Sequence, residues 1–355
     1  MANRQGFVLV TNRSEDEGIG VYARELYNSL SKLASASLID LTTSPPRTAL
    51  KTLDGLIYGA LQTLSLLRVP NNAEIYHFTS PGYFEIARHF HSAPTITTIH
   101  DLSIFDCKIP GMSWVLKQST IDSIRNSSGL ICASYYTKER LLNVFNNVPP
   151  LSVVHYGVNA TQFRPRDRNA SRKLAGLPES KHVVLYVGDT GWRKNMETLF
   201  VSYRKLEKHY GNSILFLHVG GDEESVRRLE KIFEVTSVLH LPHVPHREIH
   251  TYYNAADVFL FPSRYEGFGM PPLEAMASGI PVISSNATSL TEVVGDGGIL
   301  LDASDIDGFT DSVIKVLSEP RIAQELTARG ITQSSKFSWE RASEDSLKFY
   351  KQILG

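Results

Sequence analysis

The chain has 355 residues, long for one domain and sufficient for two. Its 36 basic residues nearly cancel its 37 acidic ones, so there is no global basic field and nucleic acid is excluded as the main partner. Two cysteines, Cys107 and Cys132, are too few for a disulfide framework or a thiolate metal site, and a cytoplasmic location is expected.

The first apolar run, residues 7–10, is too short for the core of a secretory signal. No segment reaches the roughly 18 uninterrupted apolar residues of a membrane span. The expectation is a soluble chain, attached at most to a membrane surface.

Residues 7–11 read as a strand and 20–33 as an amphipathic helix. Residues 37–40 form the next strand, and 51–67 again have helical spacing. Short β-branched runs at 75–78, 95–99, 129–133 and 152–155 continue the series. From 163 to 181 the pattern lapses into polar residues with Pro165 and Pro178. It restarts at 183–187 and continues through 214–219, 237–241, 258–261, 281–284 and 298–301. After Pro320 only helical segments remain, ending in residues 339–354. Alternation of this kind belongs to parallel sheets wrapped in helices, and its interruption predicts two doubly wound α/β domains joined near residue 164.

The segment from Pro262 to Glu274 carries the most specific chemistry. Glu266 and Glu274 stand eight residues apart around a loop holding Gly267, Phe268 and Gly269, and Pro271 suits the start of the helix that follows. Glycines after a parallel strand let backbone N–H groups approach an anion, which the N-terminus of a helix also favours. Taken alone, Glu274 could also be a first-turn carboxylate that offsets the helix dipole. A second loop of this kind, Gly188-Asp-Thr-Gly-Trp-Arg-Lys-Asn195, follows the strand at 183–187 and pairs Arg193 with Lys194.

Glu266 and Glu274, followed by Ala275-Met-Ala-Ser-Gly-Ile-Pro-Val282, resemble the E-x7-E motif and its sequel in GT-B glycosyltransferases, particularly family 4. The resemblance spans nearly the whole chain, strongest over 183–301 and loose over 21–95. It implies a GT-B architecture, with two Rossmann-like domains facing a central cleft. An acceptor-side domain would cover 1–163, completed by a C-terminal helix at 338–355, and a nucleotide-sugar-binding domain 164–337.

By the same resemblance Glu266 lies near the donor sugar, Glu274 holds the ribose, and Lys194 neutralises the diphosphate. His100, in the His100-Asp101 pair, reaches the sugar hydroxyls; without the resemblance, a histidine at a strand end reads as structural. Gly18 and Gly20 correspond to the glycine loop beside the diphosphate. Where many relatives carry arginine this chain has Asp189, so Arg193 either supplies the second diphosphate cation or is a solvated surface charge.

The activity implied is retaining transfer of a hexose, from a donor such as GDP-mannose or UDP-glucose, to a hydroxyl of a glycan or lipid-linked acceptor. No cofactor or metal is expected, since lysine, arginine and helix dipoles do a cation's work in this fold. Asp305-Ile-Asp307 accordingly reads as helix capping.

Two rival activities fit part of the same pattern. Gly18-x-Gly20-x-x-Ala23 with Asp40 fits a dinucleotide fingerprint and would suit an NAD(P)-dependent oxidoreductase. But six residues separate Thr11 from Gly18, whereas the fingerprint turn follows its strand at once. A sugar-nucleotide epimerase of GT-B fold should lack the paired glutamates. Residues 50–69 are apolar on much of their surface, which suits either a helix packed on the first sheet or peripheral membrane contact.

Overall fold

In a computed structural model, which describes residues 5–14, 16–42, 69–81, 93–106 and 114–355, the chain forms two compact units. One comprises Met1–Gly157 with Trp339–Gly355, the other Val158–Ser338. The stretch 50–69 lies outside the described residues except at its end.

The first unit is built on six parallel strands: β1 (Gln5–Thr11), β2 (Ala36–Asp40), β3 (Ala73–Phe78), β4 (Thr95–Ile99), β5 (Gly129–Cys132) and β6 (Leu151–Val153). They lie in the order β2-β1-β3-β4-β5-β6. Strand β4, Thr-Ile-Thr-Thr-Ile, is buried along its whole length, as β-branched residues permit. Its hydroxyls find partners indoors: Thr97 Oγ1 meets Ser127 Oγ at 2.7 Å, and Thr98 Oγ1 meets the Tyr22 hydroxyl at 3.0 Å.

The helix Trp339–Leu354 belongs to this unit. It buries Trp339, Ala342, Ser343, Ser346, Phe349 and Tyr350, a stripe of helical period. Tyr350 packs on Phe7 with ring centroids 5.0 Å apart, and Ser343 bonds Ser29 at 3.0 Å. A Cβ on Gly129 would stand 2.9 Å from the Phe349 ring, so the glycine opening β5 lets this helix lie close.

The second unit is built on β7 (His182–Val187), β8 (Ile214–Val219), β9 (Val238–Leu241), β10 (Val258–Phe261), β11 (Val282–Ser285) and β12 (Ile299–Leu301). These strands are again parallel, in the order β12-β11-β10-β7-β8-β9. All four residues of β10 are fully buried, each apolar side chain contributing roughly 1.5–3 kcal/mol. The chain therefore folds as the two doubly wound α/β units that the alternation predicts. In the second, strands β7, β8 and β9 grow away from β7 on one side and β10 starts the other. Between the carboxyl ends of β7 and β10 lies the switch point, where such sheets bind ligands.

Candidate functional site

Gly188 follows strand β7, and its N–H bonds Val219 O on neighbouring β8 at 2.9 Å. The buried Tyr186 donates to Asp189 O at 2.9 Å, and Asp189 Oδ1 accepts the Gly191 N–H at 2.7 Å. Asp189 thus closes a local turn. One 3₁₀ turn, Trp192–Lys194, follows, then Asn195 in left-handed conformation (φ 57°), then the helix Met196–Tyr210. The Asn195 amide donates to Pro262 O at 2.9 Å and Ala303 O at 2.6 Å, which fastens this turn to the loop after β10.

That loop delivers Glu266 to Lys194. Lys194 Nζ lies 2.7 Å from Glu266 Oε1, both side chains about nine-tenths buried, and the ammonium stands 5.3 Å from the centroid of the Phe261 ring. Ser263 Oγ donates to the same carboxylate oxygen at 2.7 Å. The Arg264 N–H bonds Arg193 O at 2.7 Å, so backbone also joins the two loops. A buried carboxylate and ammonium with these partners form a neutral, oriented pair at the switch point.

The loop that follows is pinned from β11. Thr288 Oγ1 accepts the Glu266 N–H at 2.9 Å, and Ser289 Oγ lies 2.9 Å from Glu266 O and 2.8 Å from Phe268 O. Phe268 is 4% exposed, its ring packed on Phe337 at 5.9 Å, so it can offer a ligand backbone rather than ring. At Gly269 φ is 113°, and a Cβ there would stand 2.8 Å from Leu290 Cδ2. The helix Met270–Ala277 begins at once, with Pro271 and Pro272 in its first turn.

Glu274, on that helix, is 6% exposed. Its Oε1 lies 2.9 Å from His246 Nε2 and its Oε2 accepts the Tyr253 hydroxyl at 2.9 Å. Burial, and then the Glu274 charge, push the Tyr253 phenol well above its usual value, so Tyr253 is a protonated donor. The two glutamates of the motif thus have separate partners.

The remaining candidates lie in the first unit. His100 follows β4, with Nδ1 against the Tyr156 hydroxyl and Nε2 against the Thr79 carbonyl. A carbonyl only accepts, so Nε2 carries a proton. Desolvation lowers its pKa to about 4, against opposing pulls from the Thr79 carbonyl and Asp101. Tyr22 meets the imidazole edge-on at 5.3 Å, and Tyr156 stacks on Trp339. Both ring nitrogens are therefore engaged, and donation from His100 to a sugar hydroxyl would require exchange of a bond.

Gly18 opens the helix Gly18–Leu30, with nothing within 4 Å of a Cβ built there. At Gly20 a Cβ would stand 1.8 Å from Ser14 O. This glycine lets the chain between β1 and the helix fold back over the first turn. It does not form the tight strand-to-helix turn of a dinucleotide loop, which removes the structural basis of the oxidoreductase reading. Asp305 Oδ1 accepts the Gly308 N–H at 2.9 Å as a helix cap, and Asp307 pairs with Lys205. Among the described residues no group of three or more His, Cys, Asp or Glu side chains is arranged to hold a metal ion.

Sequence motifs brought Lys194 and Glu266 to attention but missed Ser263, Thr288, Ser289, His246 and Tyr253. Ser263 was legible in principle, three residues before Glu266 on the same loop. No local spacing marks His246 or Tyr253, which come from the crossover between β9 and β10.

Residues 167–333 match the family described as "Glycosyl transferases group 1". O-antigen chain mannosyltransferase B of Escherichia coli is 30% identical over 269 residues, covering 73% of this chain and 70% of that protein. D-inositol 3-phosphate glycosyltransferase 1 of Catenulispora acidiphila is 24% identical over 332 residues, covering 87% and 79% respectively. Among solved structures, sucrose-phosphate synthase of Thermosynechococcus elongatus superposes with TM-score 0.80 at 20% identity over 99% of both chains. The HepE protein of Anabaena, solved with UDP and glucose, superposes with TM-score 0.78 at 14% identity, over 98% of this chain and 100% of that one. The fold is GT-B, the family match spans the unit that carries Lys194 and both glutamates, and the E. coli relative extends the likeness over most of the chain, which therefore belongs to the group 1 glycosyl transferases and is a glycosyltransferase.

Proposed function

We propose that the chain transfers a hexose from a nucleotide sugar to a hydroxyl of a glycan or lipid-linked acceptor, with retention and without a metal. The observation that carries this reading is the buried Lys194–Glu266 pair, 2.7 Å across, at the switch point of the second sheet. The names of the relatives, a mannosyltransferase and glycosyltransferases, and the UDP and glucose of the Anabaena structure agree with such a donor.

In this reading the diphosphate sits over the loops after β7 and β10. Lys194 has two further N–H groups to offer the leaving phosphate while the third stays on Glu266. Positive charge fixed where negative charge develops is usually the largest single catalytic term. Glu266, held by Lys194 and Ser263, faces the donor sugar. Arg193 and the backbone N–H groups of Gly267, Phe268 and Gly269 supply the remaining anion contacts. Glu274 holds the ribose hydroxyls, and the leaving phosphate itself helps to deprotonate the acceptor on the same face of the sugar. By the family resemblance, His100, Gly18 and Gly20 are the donor-binding residues of the first unit. Peripheral membrane contact through residues 50–69 suits a lipid-linked acceptor, and failure to co-sediment with anionic liposomes at low salt would remove it.

The test is nucleotide release from a panel of UDP-, GDP- and ADP-sugars with EDTA present, for wild type and Glu274→Ala. Slow release from one donor, lost in the variant, is expected. If the panel stays silent and calorimetry detects no binding of the same donors, the proposal is wrong.

A further inference from the structure

Resting on that reading of Glu274, we infer that His246 and Tyr253 are positioning residues. They fix the Glu274 carboxylate so that its free lone pairs meet the ribose diol of a nucleoside diphosphate.

A carboxylate offers about four acceptor directions. At Glu274 two are filled from within the unit: Oε1 by His246 Nε2 and Oε2 by the Tyr253 hydroxyl, each at 2.9 Å. With one donor on each oxygen, both torsion of the carboxylate and rotation of the side chain are blocked. One direction on each oxygen remains, which matches two vicinal hydroxyls rather than one.

The donors are themselves held. Phe163 packs against both rings, 5.5 Å from His246 and 5.9 Å from Tyr253 by centroids. Gln162 donates to the His246 carbonyl, and Glu248 N–H closes a turn on Pro245 O at 2.8 Å. Tyr253 is fully buried on the helix His250–Ala255, and the His246 side chain keeps 19% exposure. Tyr253 is a neutral phenol, so its bond to Glu274 sets an orientation rather than compensating charge.

The experiment compares binding of UDP and GDP with that of their 2′-deoxy and 3′-deoxy forms by calorimetry. Four proteins are needed: wild type, Glu274→Gln, His246→Phe and Tyr253→Phe. The two phenylalanine variants keep a ring against Phe163 and remove the donor to Glu274, and thermal unfolding of each reports whether the fold survives. Wild type should prefer the ribonucleotide by roughly 10- to 100-fold, the worth of a hydrogen bond to a charged group. Glu274→Gln should largely lose the preference, and each phenylalanine variant should reduce it at least about threefold while binding the deoxy forms as wild type does. Equal losses for ribo and deoxy ligands, or no loss, in the phenylalanine variants would overturn the positioning role while leaving Glu274 on the ribose. A wild type indifferent to the missing hydroxyls would overturn the ribose reading of Glu274 itself.

Discussion

Lys194 and Glu266 come from loops 72 residues apart and meet at 2.7 Å, each nearly buried. Removing one partner strands a buried charge, at a cost of about 3–5 kcal/mol, whereas removing both does not. Lys194→Met and Glu266→Gln should each lower the unfolding free energy, and the double variant should be more stable than the two single losses predict. Turnover should follow a different rule. With Lys194 on the donor diphosphate as proposed, Lys194→Met should fall by about 10²–10³, and the double variant should recover none of it, because neither change restores a cation. Urea unfolding and single-turnover kinetics on the four proteins separate the two effects. A double variant no more stable than the sum of single losses would mean that the pair is uncoupled in solution.

The ion pair at the amino end of β7 has no such catalytic component. Arg172, 3% exposed, bonds Ala255 O at 3.0 Å, Glu179 O at 2.9 Å and Asp257 Oδ2 at 2.6 Å. Asp257 also accepts the Val183 N–H at 2.7 Å, so the pair ties the helix Arg168–Ala175 to the amino ends of the central strands β7 and β10, the end of the sheet opposite the switch point. Arg168 Nη1 also lies 2.5 Å from Asp257 Oδ1 and stays after the change, so Arg172→Met strands two carbonyls rather than a charge and should cost about 1–3 kcal/mol of stability while the folded fraction keeps its turnover. Denaturation midpoints together with activity normalised to folded protein test this, and a loss of turnover without a loss of stability would contradict it.

Much of this was legible in the sequence because it is local. Each strand of the second sheet announces itself as a short β-branched or aromatic run, and the E-x7-E block holds strand, glycine loop, proline start and glutamate within seventeen residues of one another, 258–274. What escaped was non-local. His246 and Tyr253 reach Glu274 from the loop and helix between β9 and β10, and Thr288 and Ser289 reach Glu266 from beyond β11. Nothing in their own neighbourhoods distinguishes them from other polar loop residues. The surroundings of His100 escaped in a related way: its place at the end of β4 was evident, but the Tyr156 hydroxyl that meets Nδ1 lies 56 residues away.

The two glycines of the first helix should respond in opposite ways to the same change. A Cβ at Gly20 would stand 1.8 Å from a backbone oxygen that no rotamer change can move, so Gly20→Ala should destabilise the first unit by about 1–3 kcal/mol. Gly18 has open space and negative φ, and Gly18→Ala should be neutral or stabilise by roughly 0.4–1 kcal/mol. Urea midpoints decide this, and equal effects at the two positions would refute it.

Acid should weaken the fold well above the pH at which carboxylates protonate. His77 is fully buried, with Nε2 2.7 Å from Thr98 Oγ1 and Nδ1 against the Tyr350 hydroxyl. Burial, reinforced by nearby His100, lowers its pKa to about 3, and desolvation lowers that of His100 to about 4 and that of His218 to about 3. The unfolded chain takes up these protons near the ordinary histidine value, about 6.5, while the folded chain refuses them until far lower pH. The unfolded state then holds more bound protons, so stability is complete above about pH 6.5 and drains away as pH falls towards the folded values. Between pH 7.5 and 5.5 each such histidine should remove about 1.4 kcal/mol. The first unit holds two of the three, His77 and His100, and should lose about 3 kcal/mol over that window. His77→Gln keeps an amide where the imidazole stood but does not titrate. Whatever its stability at pH 7.5, its loss on acidification should be smaller than that of wild type by about 1.4 kcal/mol. Urea unfolding at the two pH values measures both slopes. A wild-type curve that stays flat from pH 7.5 to 5.5 would show that these histidines are not held neutral, and an unchanged slope in the variant would clear His77 alone.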